Sequence, residues 1–165
     1  MEEERFRRVF EHLGAVTAYA RRRGSADPEA IAAETMTIAW RRLADVPRDD
    51  ALPWLYATAR NLLLAEGRRR ARRPHLAGAG TVPPPEVAAL DPAVTAALRA
   101  LSPADVEALL LVAWEDLSPT LAARALGISA TAFRVRLLRA RRRFRQALAA
   151  ESGDPWIERA ETETA

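Results

Sequence analysis

The sequence contains no cysteine among its 165 residues, which excludes a disulfide framework, a thiolate nucleophile and a cysteine-bound metal. Histidine is almost as scarce, since His12 and His75 are the only two and lie far apart in the chain. Neither histidine belongs to a cluster with the spacing of metal ligands. The residue content therefore predicts no metal site, and we expect no cofactor.

Long apolar runs are also missing. No stretch approaches the roughly 18 apolar residues of a membrane span, and the start MEEERFRR is unlike a signal peptide. We therefore expect a cytoplasmic protein that is not inserted in a membrane. Enzyme motifs are absent too: there is no cleft-like carboxylate pair, no phosphate-binding loop and no nucleophile beside a base. These absences make an enzyme the weakest of the functional hypotheses.

Lysine is absent, and all 25 basic residues are arginine, a pattern that a GC-rich genome explains most simply. The net charge of +3 hides a strong segregation of charge along the chain. Residues 51–80 hold six arginines and one acid, and residues 121–150 hold eight arginines and no acid. Residues 81–120 and 151–165 are acidic. Two basic blocks separated by an acidic stretch indicate two contacts with one polyanion.

The most informative stretch covers residues 117–148, which read as two helices joined by a tight turn. Gly127 suits the turn, because glycine adopts a left-handed backbone without a steric cost. Ser129 suits the N-cap of the second helix, and the small Ala123 suits a close helix crossing. This spacing predicts a helix-turn-helix.

The second of these helices has one apolar stripe and one arginine-rich face. The stripe consists of Phe133, Leu137, Ala140, Phe144 and Leu148. The opposite face carries Val135, Leu138, Arg139, Arg142, Arg145 and Gln146, with Arg134 at its edge. A cationic face suits phosphates, and an apolar contact within it suits a thymine methyl group. We therefore predict that this helix reads DNA. The alternative is a solvated basic helix whose outward apolar residues pack elsewhere.

Helical periodicity predicts three helices in the first half of the chain, at residues 2–23, 28–44 and 51–72, with a polar loop at residues 45–50. The third helix has two distinct faces. Its predicted buried face consists of Leu52, Leu55, Ala59, Leu62, Leu63 and Glu66. Its other face holds Trp54, Thr58, Asn61, Ala65, Arg68 and Arg72. An aromatic ring, an amide and two guanidinium groups in one row suit an unpaired nucleic-acid strand. The alternative is that Trp54 packs against a neighbouring helix and the arginines are solvated.

Glycine and proline predict an irregular linker over residues 74–90. A second helical unit follows over residues 91–150, with helix starts at Asp91-Pro92, Ser102-Pro103 and Ser118-Pro119. Residues 151–165 form an acidic tail in which Trp156 and Ile157 are candidates for docking. Because no strand pattern appears, the predicted fold class is all-α, with two small helical domains at residues 1–73 and 91–150.

In this order, the segments resemble the extracytoplasmic-function group of bacterial sigma factors, a branch of the sigma-70 family. The stretches AIAAETMTIAW at 30–40 and PWLYATARNLLLAEGRRRARR at 53–73 are similar to region 2 of that family. The stretches LRALSPADVEALLL at 98–111 and LSPTLAARALGISATAFRVRLLRARRRFR at 117–145 are similar to region 4. The resemblance covers about residues 5–73 and 91–150.

The resemblance implies a transcription initiation factor that binds core RNA polymerase, directs it to promoter DNA and associates with the nucleoid when active. Region 2 would bind the polymerase through Glu34, Thr37 and Arg41. It would open the minus-10 element with the 45–50 loop and with Trp54, Arg60, Asn61, Arg68 and Arg72. Region 4 would read the minus-35 element through Ser129, Thr131, Arg134, Val135, Leu138, Arg139 and Arg142. Such factors are commonly held inactive by an anti-sigma factor.

The sequence departs from the family at a few of these positions. Ala30 and Ala33 stand where the family usually has an acid and a glutamine, Leu121 where it often has a glutamate, and Val135 where it often has a small polar residue. Two alternatives therefore stay open. One is a stand-alone helix-turn-helix regulator, which leaves the Trp54 face unexplained, and the other is a degenerate relative that only sequesters partners.

Overall fold

The computed structural model describes residues 2–72 and 90–152, and these residues form helices without any strand. The chain divides into two compact units. The first contains α1 (Glu2–Phe10), α2 (Leu13–Arg22), α3 (Pro28–Arg41) and α4 (Leu52–Ala71). The second contains α5 (Pro92–Arg99), α6 (Pro103–Ala113), most of α7 (Pro119–Leu126) and α8 (Ala130–Ser152). The all-α prediction is confirmed.

The ends of the predicted domains fall largely outside this description. Of the predicted linker, residues 74–89 lie outside the described residues, and so do residues 153–165 of the predicted tail, including Trp156 and Ile157. The helix α8 continues through Glu151 and Ser152, two residues beyond the predicted end of the domain. The first residues that disfavour a helix, Gly153 and Pro155, come only after this point.

The single helix predicted over residues 2–23 is wrong, because α1 ends at Phe10 and α2 begins at Leu13. The His12 N–H donates to the Val9 carbonyl at 3.1 Å, which tightens the last turn of α1. The His12 carbonyl then accepts from Val16 N–H at 3.0 Å and starts α2. The apolar stripe conceals this break, since Val9 and Val16 are both buried and stand two helical turns apart.

A stack of two tyrosines lies at the centre of the first unit. The rings of Tyr19 on α2 and Tyr56 on α4 are 4.6 Å apart and tilted by only 14°. The Arg23 guanidinium lies 3.4 Å from the centre of the Tyr19 ring, and Arg23 also donates to the Tyr19 carbonyl at 3.2 Å. Aromatic stacking and a cation over a ring both stabilise beyond the area they bury. The predicted buried face of α4 missed Tyr56, which lies beside its stripe.

Burial along α4 fades after Ala59, so the predicted buried face is only partly correct. Leu55 and Ala59 are fully buried, whereas Leu52, Leu62 and Leu63 are half-buried. Glu66 is not in the core. Its carboxylate accepts from the Ser25 hydroxyl and from the Ala26 N–H, each at 3.0 Å, and pairs with Arg70 at 2.9 Å.

This position of Glu66 has a simple physical reason. A carboxylate is expensive to bury without hydrogen-bond donors, and the turn between α2 and α3 supplies them. The turn is tight, with Gly24 at a φ of 71° ending α2 and the Asp27 side chain capping α3 through the Ala30 N–H at 2.9 Å. Glu66 thereby ties α4 to the α2–α3 turn.

In the second unit, the predicted helix starts are confirmed. The Asp91 side chain accepts from Ala93 N–H at 2.8 Å, and the Ser102 hydroxyl accepts from Asp105 N–H at 3.2 Å. The helix α8 packs against α5 and α6. The stripe predicted for α8 is buried through Phe133, Leu137 and Ala140 and is half-buried at Phe144 and Leu148.

We predict that Glu66→Gln destabilises the first unit by about 1–2 kcal/mol, because a neutral amide accepts more weakly from the two donors of the turn. Urea unfolding followed by circular dichroism measures this change. Glu29→Gln is the matched control, since the Glu29 side chain is 70% exposed and pairs with Arg21 only at 3.4 Å. An exposed pair of this kind contributes less than about 1 kcal/mol. Equal losses in the two variants would contradict the role of Glu66.

Candidate nucleic-acid interface

The helix-turn-helix predicted in the second unit is present. Gly127 has a φ of 65°, its N–H donates to the Arg124 carbonyl at 3.1 Å, and the Ile128 N–H donates to the Ala123 carbonyl at 3.0 Å. These bonds end α7 in the left-handed manner that favours glycine. A side chain added at Gly127 would meet no atom within 4 Å, so the backbone angle alone requires glycine. The Ser129 hydroxyl caps α8 by accepting from the Ala132 N–H at 3.1 Å.

The outward face of α8 is exposed as predicted. Leu138 is 67% exposed and Val135 is 43% exposed, which is unusual for apolar side chains on a packed helix. The polar members of the predicted minus-35 set are also exposed, and they are Ser129, Thr131, Arg134, Arg139 and Arg142. Among the described residues, Arg134, Arg139 and Arg142 have no ion-pair partner. The face therefore offers free guanidinium groups around an apolar centre.

One arginine of this basic block has a structural role that the sequence did not reveal. Arg143 Nη1 donates to Asp105 Oδ2 at 2.6 Å, and Asp105 on α6 is only 4% exposed. The block contains no acid of its own, so only the packing of α6 against α8 could reveal this partner. The ion pair fixes the rotation of α8 about its axis and leaves Arg134, Arg139 and Arg142 directed outward.

The pKa of Asp105 reflects this contact. Burial by itself raises the pKa of the carboxyl. Hydrogen bonds from Arg143 and Ser102, together with the charges of Arg143 and Arg136, outweigh burial and lower the pKa below its ordinary value of 3.8. Asp105 is therefore ionised at neutral pH and holds α8 as a charged partner.

In the first unit, α4 presents the predicted row of nucleic-acid contacts only in part. Trp54, Asn61, Arg68 and Arg72 stand seven, seven and four residues apart, which places them on one side of the helix. Asn61 and the two arginines are exposed, and Trp54 is half-buried. Arg60 is half-buried and lies about 100° around the axis from Asn61, so it is outside this row.

The 45–50 loop between α3 and α4 is less polar than the sequence indicates. Val46 is only 2% exposed, and its carbonyl accepts from Arg5 Nη2 of α1 at 2.6 Å. The sequence feature that could have predicted the burial of Val46 is its position three residues after Leu43, which is also buried. Asp45, Pro47, Arg48 and Asp49 are exposed, and Asp50 is half-buried.

The residues predicted to contact the polymerase lie together on α3. Glu34, Thr37 and Arg41 are all exposed and stand three and four residues apart. Beside them is an apolar groove of about 340 Å³ that sequence reasoning missed. It is lined by Phe6, Phe10, Leu13, Ala33, Met36, Thr37 and Trp40.

Two aromatic residues of this groove are unusually exposed to solvent. Trp40 is 51% exposed and Phe10 is 48% exposed, although both are large apolar side chains. The ring of Phe6 meets that of Trp40 edge to face at 4.8 Å, which keeps the groove in shape. An exposed apolar patch of this kind marks an interaction surface.

Comparison with known proteins finds matches to one family model and to solved structures. Residues 92–144 match the family model described as sigma-70, region 4. The chain is similar to the sigma factor RpoE of Bartonella quintana, solved in complex with the anti-sigma factor NepR, with a TM-score of 0.65 and 24% identity over 86% of this chain and 94% of that one. It is also similar to CnrH, solved with the cytosolic domain of CnrY, with a TM-score of 0.61 and 27% identity over 88% of each chain. No curated protein matches the sequence.

The match covers α5, α6, α7 and most of α8, so the helix-turn-helix unit is similar to region 4 of sigma-70 factors. The similarity to the two solved structures shows that the chain shares their fold. Within the described residues, no helix is long and apolar enough to cross a membrane.

We predict that Asp105→Asn destabilises the second unit by about 1–2 kcal/mol at pH 7, because the charged acceptor of Arg143 is lost. The lowered pKa sets the pH dependence. The ionised carboxylate contributes stability above pH 3.8, and this contribution is lost as the pH falls through the still lower pKa of the folded state. Thermal unfolding of both proteins across pH 2–7 measures the difference. A gap between the two proteins that stayed constant down to pH 2 would contradict this account.

Proposed function

We propose that this protein is a transcription initiation factor that binds core RNA polymerase and directs it to specific promoters. In this proposal the second unit reads the minus-35 element and the first unit opens the minus-10 element. The observation that carries the proposal is the outward face of α8. It belongs to the unit that is similar to region 4, and it exposes unpaired arginines around Val135 and Leu138.

The N-terminal half of α8 would contact the minus-35 element, since a recognition helix contacts base edges with its first turns. Ser129, Thr131, Arg134, Val135, Leu138 and Arg139 are the proposed base-contacting residues. Arg142 lies about two turns beyond Arg134 and is the proposed phosphate contact. Arg134 can make a bidentate contact to guanine, and Leu138 can meet a thymine methyl group.

The minus-10 element would be opened by α4 and the 45–50 loop. Trp54 would stack an unpaired base, Asn61 would bond a base edge, and Arg68 and Arg72 would bind phosphates. Arg60 would contact the minus-10 element from the adjoining side of α4. The buried Val46 and its bond to Arg5 support this role, because they hold the loop beside Trp54 in a defined position.

Core polymerase would bind the face of α3 that carries Glu34, Thr37 and Arg41. Ala33 removes a polar group from this face and lines the apolar groove instead. We therefore propose that the partner makes apolar contacts here where the family usually has a hydrogen bond. The sigma factor RpoE was solved in complex with the anti-sigma factor NepR, so an anti-sigma factor is also proposed for this chain. The factor itself needs no catalytic residue, because the polymerase performs the chemistry.

The decisive experiment is run-off transcription with purified core polymerase, this protein and a library of promoters from the source genome. Defined start sites that share two spaced motifs would support the proposal and supply both motifs. Polymerase binding without any transcript would favour a relative that only sequesters partners. If the chain bound specific duplexes tightly but not polymerase, a stand-alone regulator would replace the proposal.

We predict that Arg134→Ala lowers discrimination between a selected promoter and a scrambled duplex by about 1–3 kcal/mol, the value of a bidentate guanine contact. Arg142→Ala should instead weaken binding to both duplexes alike. It should also reduce the slope of log affinity against log salt by about 0.9, the value for one phosphate contact. Fluorescence anisotropy at several salt concentrations measures both quantities.

Arg143→Ala is the matched control for this pair, because it removes the same charge one residue from Arg142. Its guanidinium is held by Asp105, so we expect a loss of stability with a smaller change in salt slope. If Arg134→Ala left the ratio of specific to non-specific affinity unchanged, Arg134 would not read a base. If Arg142→Ala and Arg143→Ala changed the slope equally, Arg142 would have no privileged phosphate contact.

We predict that Trp54→Ala impairs promoter opening more than duplex binding, because its ring is needed only when a base leaves the stack. Permanganate reactivity of unpaired thymines measures opening, and anisotropy with the polymerase complex measures duplex binding. Leu64→Ala is a suitable control, since Leu64 is an exposed apolar residue of the same helix outside the proposed row. Equal losses of opening and binding in Trp54→Ala would indicate a packing role instead.

A further inference from the structure

An exposed ion pair between Arg42 and Asp45 lies beside the indole of Trp54, and neither residue has been assigned a contact of its own so far. Asp45 Oδ2 accepts from Arg42 Nε at 2.9 Å and from Arg42 Nη2 at 2.8 Å. The central carbon of the Arg42 guanidinium lies 5.8 Å from the centre of the Trp54 ring, which is within cation–π distance. The three side chains therefore form one cluster at the junction of α3, the loop and α4.

The backbone sets this cluster in place. Arg42 is the C-terminal cap of α3, and its N–H donates to the Ile38 carbonyl at 2.9 Å. The Asp45 N–H then donates to the Arg42 carbonyl at 2.9 Å, which closes a turn and brings the two side chains together. Val46, the next residue, is buried, so the turn cannot easily move away from the fold.

The ion pair itself is weak. The side chains of Arg42 and Asp45 are 61% and 52% exposed, so water screens their attraction. Exposed pairs of this kind favour the paired state by about fivefold at most. A phosphate group offers Arg42 the same kind of anionic oxygens and can form charge-assisted hydrogen bonds with the same fork. A bound phosphate can therefore displace Asp45 at little cost.

We propose that Arg42 binds a phosphate of the single DNA strand whose base stacks on Trp54, and that Asp45 occupies Arg42 until the strand arrives. This inference rests on the proposed function, because it assumes that Trp54 meets an unpaired strand. It adds Arg42 as a strand-binding residue and assigns Asp45 as the internal competitor of the phosphate.

The competition predicts effects of opposite sign for the two residues. Arg42→Ala should weaken binding to a single strand and lower the salt slope by about 0.7, the value for one phosphate of a single strand. Asp45→Asn should strengthen binding by about twofold to fivefold, because the phosphate no longer displaces a charged competitor. The gain from Asp45→Asn should disappear when Arg42 is already alanine, since the two residues act on one site.

The test measures anisotropy of the full-length chain with a fluorescein-labelled pool of single-stranded 20-mers of random sequence, at several salt concentrations. Glu11→Gln is the control for Asp45, because Glu11 is an exposed acid of the first unit that lies outside the 45–50 loop and α4 and has no ion pair to a described residue. Arg7→Ala is the control for Arg42, because Arg7 is a 67% exposed arginine of α1 that pairs with Glu4. Both controls should give small changes that are independent of residue 42. Circular dichroism of each variant checks that the fold is intact.

An equal gain from Asp45→Asn with and without Arg42 would overturn the competition, because Asp45 would then act only as a nearby negative charge. Unchanged binding and salt slope in Arg42→Ala would overturn the phosphate contact. Trp54→Ala separates these failures from a failure of the proposed function. If Trp54→Ala weakens strand binding while Arg42→Ala does not, only this inference is wrong. If the chain binds no strand at all, the inference is wrong and the minus-10 role of the first unit is contradicted with it.

Discussion

The second unit depends on the burial of one narrow stripe of α8. Phe133 and Ala140 are fully buried and Leu137 nearly so, and these residues fix the helix against α5 and α6. Because successive residues are turned by about 100°, burying this stripe forces Val135, Leu138 and the unpaired arginines to the opposite side. The same helix thus provides both a part of the core and the proposed recognition surface. A change that rotated it by one residue position would bury arginine and expose phenylalanine, so packing and DNA contact cannot be altered separately.

The first unit depends in the same way on polar groups that tie its turns to its helices. Glu66 holds the α2–α3 turn, and Arg5 holds the carbonyl of Val46 in the α3–α4 loop. These bonds join positions 41 residues apart or nearly so, and they place the ends of α3 against α1 and α4. The proposed polymerase face and the proposed minus-10 face both lie on or beside α3. Their relative geometry therefore follows from a few hydrogen bonds to loop backbone rather than from the apolar core alone.

The helix-turn-helix could be predicted almost completely, because each of its features is local. Gly127 requires a left-handed backbone, Ser129 caps the next helix, and the stripe from Phe133 repeats at helical spacing. The features that escaped prediction are those that join distant parts of the chain. The pairing of Asp105 with Arg143 spans 38 residues, and neither residue carries a local sign of it. The break between α1 and α2 at His12 escaped prediction because apolar residues keep their helical spacing across the two-residue turn. The exposure of Trp40 and Phe10 also escaped prediction, because helical periodicity indicates which side a residue faces but not whether another helix covers that side.

The contact between Asp105 and Arg143 has a thermodynamic consequence for association. It connects α6 to the middle of α8, so α8, the proposed recognition helix, holds its orientation before any DNA is present. No segment of the helix then has to fold when the duplex arrives, and the entropy of ordering it is absent from the binding equilibrium. Coupled folding would bury additional apolar surface and give a large negative heat-capacity change. For this domain the heat capacity of association should remain small, and the temperature dependence of affinity should be correspondingly shallow.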